Sequence, residues 1–270
     1  MDLVLSTRKF LPIFLGLFAL SFTVVAQESC EVDGQAMLQK QSARVTHAFD
    51  MDQPKGRIVD INIGCNFSPM PAKKGNFLLL VDPLADVCSS LSKKFKTNTD
   101  VAVLCCAISN YTGSATFLRY NTNGLSSSLS SAGKTSDFPL DGKDTVTVLE
   151  GAEVLGDLIR KQNQIERLKT DMQGYDLTTL KNLRPLLQIE GQIIHIKSEC
   201  FFDTDEGRQQ YQGVDNSCDE MLDYLRSLGY TAKVAQESHH KIHKFKHKAW
   251  GDVYAYKTPA LDFLDLQMWG

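Results

Sequence analysis

Short apolar segments alternate with amphipathic ones through the middle of the chain. Asn76–Val81 is continuously apolar after its first residue, as expected for a parallel strand that is buried on both faces. The other segments predicted as strands are Arg57–Ile61, Val101–Ala107, Thr145–Leu149 and Ile193–Cys200. The segments predicted as helices are Ala85–Phe95, Ala152–Gln162 and Asp215–Leu228. This order predicts an α/β fold.

The segment Ile165–Leu183 predicts a buried strand, a tight turn and a helix that begins near Tyr175. The apolar part ends at a lysine and an aspartate, Gly174 interrupts the pattern, and leucines then recur at helical spacing. In an open α/β sheet, ligands bind outside the carboxyl ends of the strands. Lys169, Asp171 and Gln173 would therefore face a binding crevice. An ordinary surface turn is the alternative interpretation.

The last part of the chain predicts an antiparallel hairpin. One strand begins at Gly229–Tyr230, and its partner is Trp250–Tyr256. Between them, residues 238–248 hold four of the six histidines. Histidines 239, 243 and 247 have the spacing of a metal-binding helix face. Because no carboxylate or cysteine joins them, a solvated basic loop is favoured over a metal site, and contact with an anionic glycan is a third interpretation.

Residues 1–26 have the pattern of a signal peptide or a signal anchor. Arg8 and Lys9 precede the apolar segment Phe10–Val25, and small residues follow at positions that a signal peptidase reads. Either alternative directs the folded part into the secretory route, secreted or luminal, with membrane contact only through the anchor. A buried core helix is the remaining alternative. Residues 27–55 form a polar lead-in, and residues 56–270 form the domain.

The seven cysteines bear on the same expectation. None forms a C-x-x-C pair, which argues against a zinc site. In an oxidising compartment, Cys200 and Cys218 could form a disulfide, as could Cys30 with another cysteine. Cys105 and Cys106 lie in an apolar strand pattern, so we expect core residues rather than disulfide partners.

Composition limits the classes of partner. The chain has 270 residues, a formal net charge of -3 and 43% hydrophobic residues, which fits one domain with a terminal appendage. Since nucleic-acid-binding proteins usually carry a basic surface, we expect no nucleic-acid partner. Asn66 and Asn110 begin glycosylation sequons. Asn66 would lie in the loop after the first strand, and we expect it unmodified if the protein is an active enzyme.

Residues 169–182, KTDMQGYDLTTLKN, resemble the K-x-D-x-x-G-x-E-x-x-x-L-K-G segment of the FkbM-type methyltransferases. Asp176 stands where this family usually has Glu, and Asn182 replaces the last Gly. Residues 107–117 are similar to the family's A-x-S-x-x-x-G-x-A segment. Residues 124–129 are similar to a serine-rich family segment near the active site, or else form a flexible polar loop. The resemblance covers roughly residues 56–257.

The resemblance implies a Rossmann-like class I methyltransferase fold with S-adenosylmethionine as cofactor. This fold has a mostly parallel seven-stranded sheet, helices on both faces and a C-terminal antiparallel hairpin. The cofactor-binding residues that it implies are Asp60, Asn62, Gly64, Asp82, Ala107 and Ser109. The family's loop after the first strand has two glycines, D-x-G-x-N-x-G-x-x-S, whereas this chain keeps only Gly64 with spacing one residue short. This departure weakens the expectation of cofactor binding.

The implied reaction is methylation of a hydroxyl group. Asp171 is the predicted base or cofactor-orienting group, and Lys169 would fix it electrostatically; a purely structural ion pair is the alternative. Glu199 would contact the acceptor, a small molecule or, from the compartment, a glycan. The alternative for Glu199, which is slightly favoured, is a satisfied carboxylate at a strand end. The alternative function is a methyltransferase-like binding or interaction protein that has lost catalysis, which the single loop glycine and the sequon at Asn66 motivate. A dehydrogenase is disfavoured because G-x-G-x-x-G is absent.

Overall fold

The computed structural model describes residues 56–121, 126–133, 139–161, 163–203, 210–235 and 250–257. The strands are β1 Ile58–Ile63, β2 Phe77–Asp82, β3 Val101–Cys105, β4 Ala107–Ser109, β5 Gly113–Tyr120, β6 Leu140–Glu150, β7 Gln164–Thr170, β8 Ile193–Phe201, β9 Thr231–Ala235 and β10 Trp250–Tyr256. The helices are α1 Ala85–Lys94, α2 Gly151–Arg160, α3 Asp176–Asn182, α4 Arg184–Leu187 and α5 Cys218–Ser227.

Seven strands form the main sheet, in the order β3-β2-β1-β7-β8-β10-β9. The first five strands of that order run parallel, and β10 is antiparallel to both β8 and β9. The predicted mostly parallel seven-stranded sheet with a C-terminal antiparallel hairpin is confirmed. Because β1 lies between β2 and β7, the connections leave it in opposite directions, and a crevice opens where the strand order reverses.

Apolar side chains cover both faces of this sheet. On one face, Val59, Ile61 and Ile63 of β1 pack in a core cluster with side chains of α2, α3, α4 and α5. On the other face, Leu78 and Leu80 of β2 belong to a second cluster with α1. Successive strand residues point to opposite faces, so the continuous apolar segment in β2 supplies both clusters. Helices on both faces are thereby confirmed.

A second sheet of three strands, β4-β6-β5, lies beside the first. The sequence predicts one strand over Val101–Ala107, but the structure divides it at Cys106. β3 pairs with β2 in the main sheet, whereas β4 pairs with β6 in the small sheet. β6 is also longer than the predicted strand Thr145–Leu149, because its first half is mostly exposed and polar and so has no apolar signal.

Two disulfides are present among the described residues. Cys200–Cys218, predicted as a candidate pair, joins β8 to α5. Cys88–Cys105 joins α1 to β3, so the expectation that Cys105 is not a disulfide partner is wrong. β3 is an edge strand of the main sheet and its Cys105 is only partly buried, which the apolar sequence around it does not reveal. Cys65 and Cys106 are free and buried.

Loss of the Cys200–Cys218 disulfide is expected to lower the free energy of unfolding by about 3 kcal/mol, since the bond restricts the unfolded chain. The cysteines are 18 residues apart. The test is chemical unfolding of the Cys200→Ala/Cys218→Ala double variant. Cys106→Ala is the control, because it removes a buried sulfur that belongs to no disulfide. A double variant that loses no more than twice the control's stability would contradict this expectation.

Two predictions concern residues that the structure does not describe. The leader at residues 1–26 and the histidines at 239, 243 and 247 lie outside the described residues. Within the described part of the chain, no helix has the length and apolarity needed to cross a bilayer. The same part contains no cluster of histidine, cysteine or carboxylate side chains suited to a metal ion.

Candidate active site

A cavity of about 970 Å³ lies at the carboxyl ends of β1, β2, β7 and β8. Its volume is at the upper end of the roughly 300–1,000 Å³ that is usual for small-molecule sites. Of the predicted site residues, those that line it are Gly64, Asp82, Ala107, Lys169, Asp171 and Glu199. The structure therefore brings together residues from five separate segments of the sequence.

The loop after β1 lines the cavity through Gly64, Cys65 and Asn66. The Gly64 N–H donates to the Val81 carbonyl over 2.9 Å, and the Asp171 N–H donates to the Ile63 carbonyl over 3.1 Å. Gly64 has φ +70°, and a Cβ built there would lie 1.9 Å from the Asp171 carbonyl oxygen. Only glycine fits, because both the backbone angle and the neighbouring chain exclude a side chain.

The same loop makes its turn without a second glycine. Asn66 has φ +45°, a left-handed conformation that asparagine adopts more readily than most residues. Its side-chain oxygen accepts from the Phe67 N–H over 2.6 Å, and the residue lines the cavity. The absence of the family's second glycine therefore does not prevent the loop from closing. The expectation that Asn66 carries no glycan in an active enzyme stays a prediction.

Asp82 lies at the end of β2 with its carboxylate at the cavity. One oxygen accepts from the Asn66 N–H over 2.9 Å and the other from the Leu84 N–H over 3.0 Å. Each oxygen keeps capacity to accept a further hydrogen bond. Burial raises the pKa of Asp82 to about 6, although the two backbone donors oppose this shift.

Asp171 follows β7 and is held by Gln173. The Gln173 side-chain N–H donates to an Asp171 carboxylate oxygen over 2.8 Å, and the Tyr211 hydroxyl lies 2.7 Å from the Gln173 amide oxygen. Gln173 has φ +52°, and its carbonyl accepts from Ser128 over 2.9 Å. Strained backbone of this kind concentrates at functional sites. Gln173 is thus held by hydrogen bonds from Tyr211 and Ser128, and in turn orients the Asp171 carboxylate.

Lys169 is the residue predicted to fix Asp171 electrostatically. Lys169 lines the cavity, but no ion pair joins it to Asp171 among the described residues. The fully buried Asp176, two residues past Gly174, accepts from the Met172 N–H with both carboxylate oxygens, at 3.2 and 3.1 Å. Burial raises its pKa to about 7. Asp176 therefore shapes the turn that carries Asp171.

Glu199 lies on β8, with only 9% of its surface exposed. Burial, followed by the charges of Asp171, Asp176 and Asp252, raises the pKa of Glu199 well above its ordinary value. Its Oε2 atom is buried and has no hydrogen-bond partner within the described part of the chain. Glu199 is therefore a buried carboxyl group at the cavity wall, and its Oε2 atom retains unused hydrogen-bonding capacity.

Three predicted cofactor-binding residues do not line the cavity. Asp60 is fully buried, and its carboxylate is 2.6 Å from the Arg167 guanidinium and 3.0 Å from the Asn76 side-chain amide. Asn62 accepts from the Met70 N–H over 2.8 Å, and Ser109 is buried beside Asn110. β1 extends to Ile63, two residues past its predicted end, so Asn62 lies within the strand, as Asp60 does, rather than in the loop.

Other cavity residues were not among the predicted site residues. Lys197 precedes Glu199 by two residues on β8, so strand periodicity alone places both on one face. Tyr211 and Trp250 have no comparable signal, because their neighbours across the cavity are distant in sequence. Ser126 and Ser127 also line the cavity, which places part of the serine-rich segment at the site.

The parallel sheet, its C-terminal hairpin and the cavity at the strand ends define a class I methyltransferase fold. The family model described as Methyltransferase FkbM domain matches residues 39–232, and the chain belongs to this family. No curated protein matches the chain.

Solved methyltransferases also align with the chain. A precorrin-6y C5,15-methyltransferase from Geobacter metallireducens aligns with 11% identity and a TM-score of 0.36, over 79% of this chain and 86% of that one. Fibrillarin from Aeropyrum pernix, with natively bound S-adenosyl-L-methionine, has 8% identity and a TM-score of 0.38, over 78% and 74%. Magnesium protoporphyrin IX methyltransferase from Synechocystis has 9% identity and a TM-score of 0.37, over 87% of both chains.

Proposed function

We propose that this protein catalyses S-adenosylmethionine-dependent O-methylation of a hydroxyl acceptor, a glycan of the secretory route. The observation that carries the proposal is that Asp82 and Asp171 both line the cavity that Gly64 also lines. Two carboxyl groups are thus available at one site, one for the cofactor and one for the acceptor.

The residues around Asp82 suit the cofactor that this family uses. A carboxylate accepts hydrogen bonds only, so Asp82 can take both hydroxyl donors of a ribose. Leu84, Ala107 and Ile108 line the adjoining part of the cavity and offer apolar surface to a purine ring. When bound, S-adenosylmethionine supplies a methyl group on a positively charged sulfur, so the group that departs needs no protonation.

On the acceptor side, Asp171 is the group that we assign as base. Its carboxylate oxygen would take the proton of the acceptor hydroxyl, and the hydrogen bond from Gln173 fixes the direction from which it does so. Positioning of this kind accounts for much of the rate of such a transfer. Lys169 adds a positive charge to the same cavity, and Glu199 would contact the acceptor.

The cysteine pairing supports the compartment in this proposal. Disulfides persist mainly in proteins of oxidising compartments, and the described residues contain two, Cys88–Cys105 and Cys200–Cys218. Glycans carry many of the hydroxyl groups that an enzyme meets there. The signal peptide or anchor over residues 1–26 and the absence of a nucleic-acid partner stay predictions.

Two measurements test the proposed function. Calorimetric titration of the disulfide-bonded protein with S-adenosylmethionine reports cofactor binding. Transfer of an isotope-labelled methyl group to glycans of secreted glycoproteins reports catalysis. Binding without transfer to any acceptor would favour the methyltransferase-like binding protein. Absence of binding by folded, deglycosylated protein would reject methyl transfer altogether.

Affinity for S-adenosylhomocysteine, the reaction product, is expected to fall as the pH decreases below 6. Protonation of Asp82 removes the charged acceptor of the ribose hydroxyls, and its pKa is about 6. The loss approaches about tenfold for each further pH unit. Asp82→Asn is expected to bind about 10–100 times more weakly at pH 7.5, because charge-assisted hydrogen bonds are lost. It should also lose most of the pH dependence, which calorimetry at several pH values measures.

Protonation of Asp82 weakens affinity for the cofactor but is expected to increase the stability of the fold. The pKa of Asp82 in the folded protein is raised above that of the unfolded chain, so its protonation favours folding. Its contribution to stability is fully present below the unfolded pKa and is lost as the pH rises through about 6. Between pH 4 and 6, affinity and this part of stability should therefore change in opposite directions. A parallel decrease in both would contradict the assignment of Asp82.

A further inference from the structure

One wall of the cavity is formed by four side chains of β8 and β10, which we call the β8–β10 wall: Glu199, Phe201, Trp250 and Asp252. Trp250 lies directly opposite Phe201, and Asp252 lies directly opposite Glu199. Residues that are paired across an antiparallel ladder share a face, and so do residues two apart on one strand. All four line the cavity. The wall therefore carries a pair of aromatic rings next to a pair of carboxyl groups.

The two members of the aromatic pair differ in exposure. Trp250 is 44% exposed, whereas Phe201 is 7% exposed. The Phe201 ring stacks on Tyr211 with centroids 5.9 Å apart, which holds it in place. A half-exposed tryptophan beside a cavity offers a flat apolar surface to a ligand ring.

The carboxyl pair has unequal surroundings. Asp252 is 3.4 Å from the Lys197 ammonium, so its charge is balanced. The Oε2 atom of Glu199 is buried and has no hydrogen-bond partner among the described residues. A buried polar atom without a partner is unfavourable, and a polar ligand would remove this cost whereas an apolar ligand would not.

On the basis of the proposed function, we propose that the β8–β10 wall is the acceptor subsite and binds an uncharged sugar ring. One face of the ring, which presents C–H groups, stacks on Trp250, and a ring hydroxyl bonds to the unpartnered oxygen of Glu199. An anionic acceptor fits less well, because this part of the lining has three carboxyl groups, Glu199, Asp252 and Asp171, against two lysines. Of these lysines, Lys197 already pairs with Asp252 over 3.4 Å. The sugar class follows from this combination of an apolar platform and a polar atom at its edge.

The test is saturation-transfer NMR on the full-length protein with S-adenosylhomocysteine present. The probes are methyl β-D-galactopyranoside, methyl α-D-mannopyranoside, the anionic methyl β-D-glucuronoside and benzyl alcohol. We expect transfer to the ring C–H protons of a neutral glycoside. A stronger signal with the glucuronoside or with benzyl alcohol, or no signal with either neutral glycoside, would overturn the proposal.

Single substitutions in the β8–β10 wall test which residues the sugar contacts. Trp250→Ala is expected to weaken glycoside binding about fivefold to tenfold while S-adenosylhomocysteine still binds. Tyr111→Ala is the matched control, since Tyr111 is 43% exposed and lies outside the cavity lining. Glu199→Ala should weaken glycoside binding about tenfold, whereas Glu199→Gln, which keeps the side-chain length and a hydrogen-bonding oxygen, should stay within about threefold. Equal binding by Trp250→Ala and Tyr111→Ala would overturn the subsite.

The same titrations separate this proposal from the proposed function. Binding of S-adenosylhomocysteine without contact to either neutral glycoside rejects the sugar subsite alone. Contact to a neutral glycoside that depends on Trp250, without binding of S-adenosylhomocysteine, rejects methyl transfer and retains the sugar site.

Discussion

Replacing Asp171 by Asn is expected to lower the rate of methyl transfer by about 10²–10⁴-fold, the range by which a positioned general base accelerates a reaction. Asparagine keeps the shape of the side chain and an oxygen for the hydrogen bond from Gln173, but it cannot take the acceptor's proton. Affinity for S-adenosylhomocysteine should change by less than about threefold, because the cofactor is assigned to Asp82 rather than to Asp171. Transfer of labelled methyl groups and calorimetry measure the two quantities.

The control for this variant is Asp157→Asn. Asp157 lies on α2, is exposed, and pairs with Arg160 and Lys161 away from the cavity. The Asp157→Asn substitution removes one carboxylate from the protein without altering the site, so the rate of methyl transfer should stay at the level of the unmodified protein. If Asp171→Asn retained full activity, Asp171 would not be the base. If it lost cofactor binding as well, Asp171 would be a cofactor-orienting group instead.

Replacing Gly64 by Ala is expected to destabilise the fold by about 3 kcal/mol or more and to abolish measurable cofactor binding. A residue with a Cβ at positive φ costs roughly 1–2 kcal/mol by itself. Here the added carbon would also lie 1.9 Å from the Asp171 carbonyl oxygen, so β1 and β7 must separate. Because the atoms that the added Cβ would meet belong to the backbone of Asp171, no side-chain rotation relieves the clash. Urea unfolding and calorimetric titration with S-adenosylhomocysteine are the measurements.

The Gly191→Ala variant separates the effect of the positive backbone angle from the effect of the clash with Asp171. Gly191 has φ +68°, nearly the angle of Gly64, but a Cβ at this position has no atom within 4 Å. Its replacement should cost only the roughly 1–2 kcal/mol of the backbone angle and leave cofactor binding unchanged. If the two variants lost equal stability, the close approach of the loop to Asp171 would not exist.

Much of this architecture could be predicted because its signals are local. The continuous apolar segment of β2 requires burial on both faces. The polar residues Lys169, Thr170 and Asp171 mark the end of β7. The final strand, Trp250–Tyr256, has the predicted boundaries. The cavity residues on the ends of β2, β7 and β8 follow from these elements. In each case the residues next along the chain carry the signal.

Other features could not be predicted because their causes are distant in sequence. The family motif implies that Asp60 binds the cofactor, but its carboxylate pairs with the guanidinium of Arg167, 107 residues away. The division of β3 from β4 depends on a second sheet that forms only when β6 pairs with Ala107–Ser109. The disulfide at Cys105 depends on how α1 packs on β3.

By itself, the sequence determined the order of strands and helices, the segments that supply the strand ends and the family to which the chain belongs, because periodicity and motif spacing are local properties. Only the tertiary structure decided which polar groups meet. It paired Asp60 with Arg167, placed Asp82 and Asp171 at one cavity, and set Glu199 beside Trp250 and Phe201. Those contacts depend on strand register and on the crossing of distant segments, which the residues next to each group along the chain do not specify.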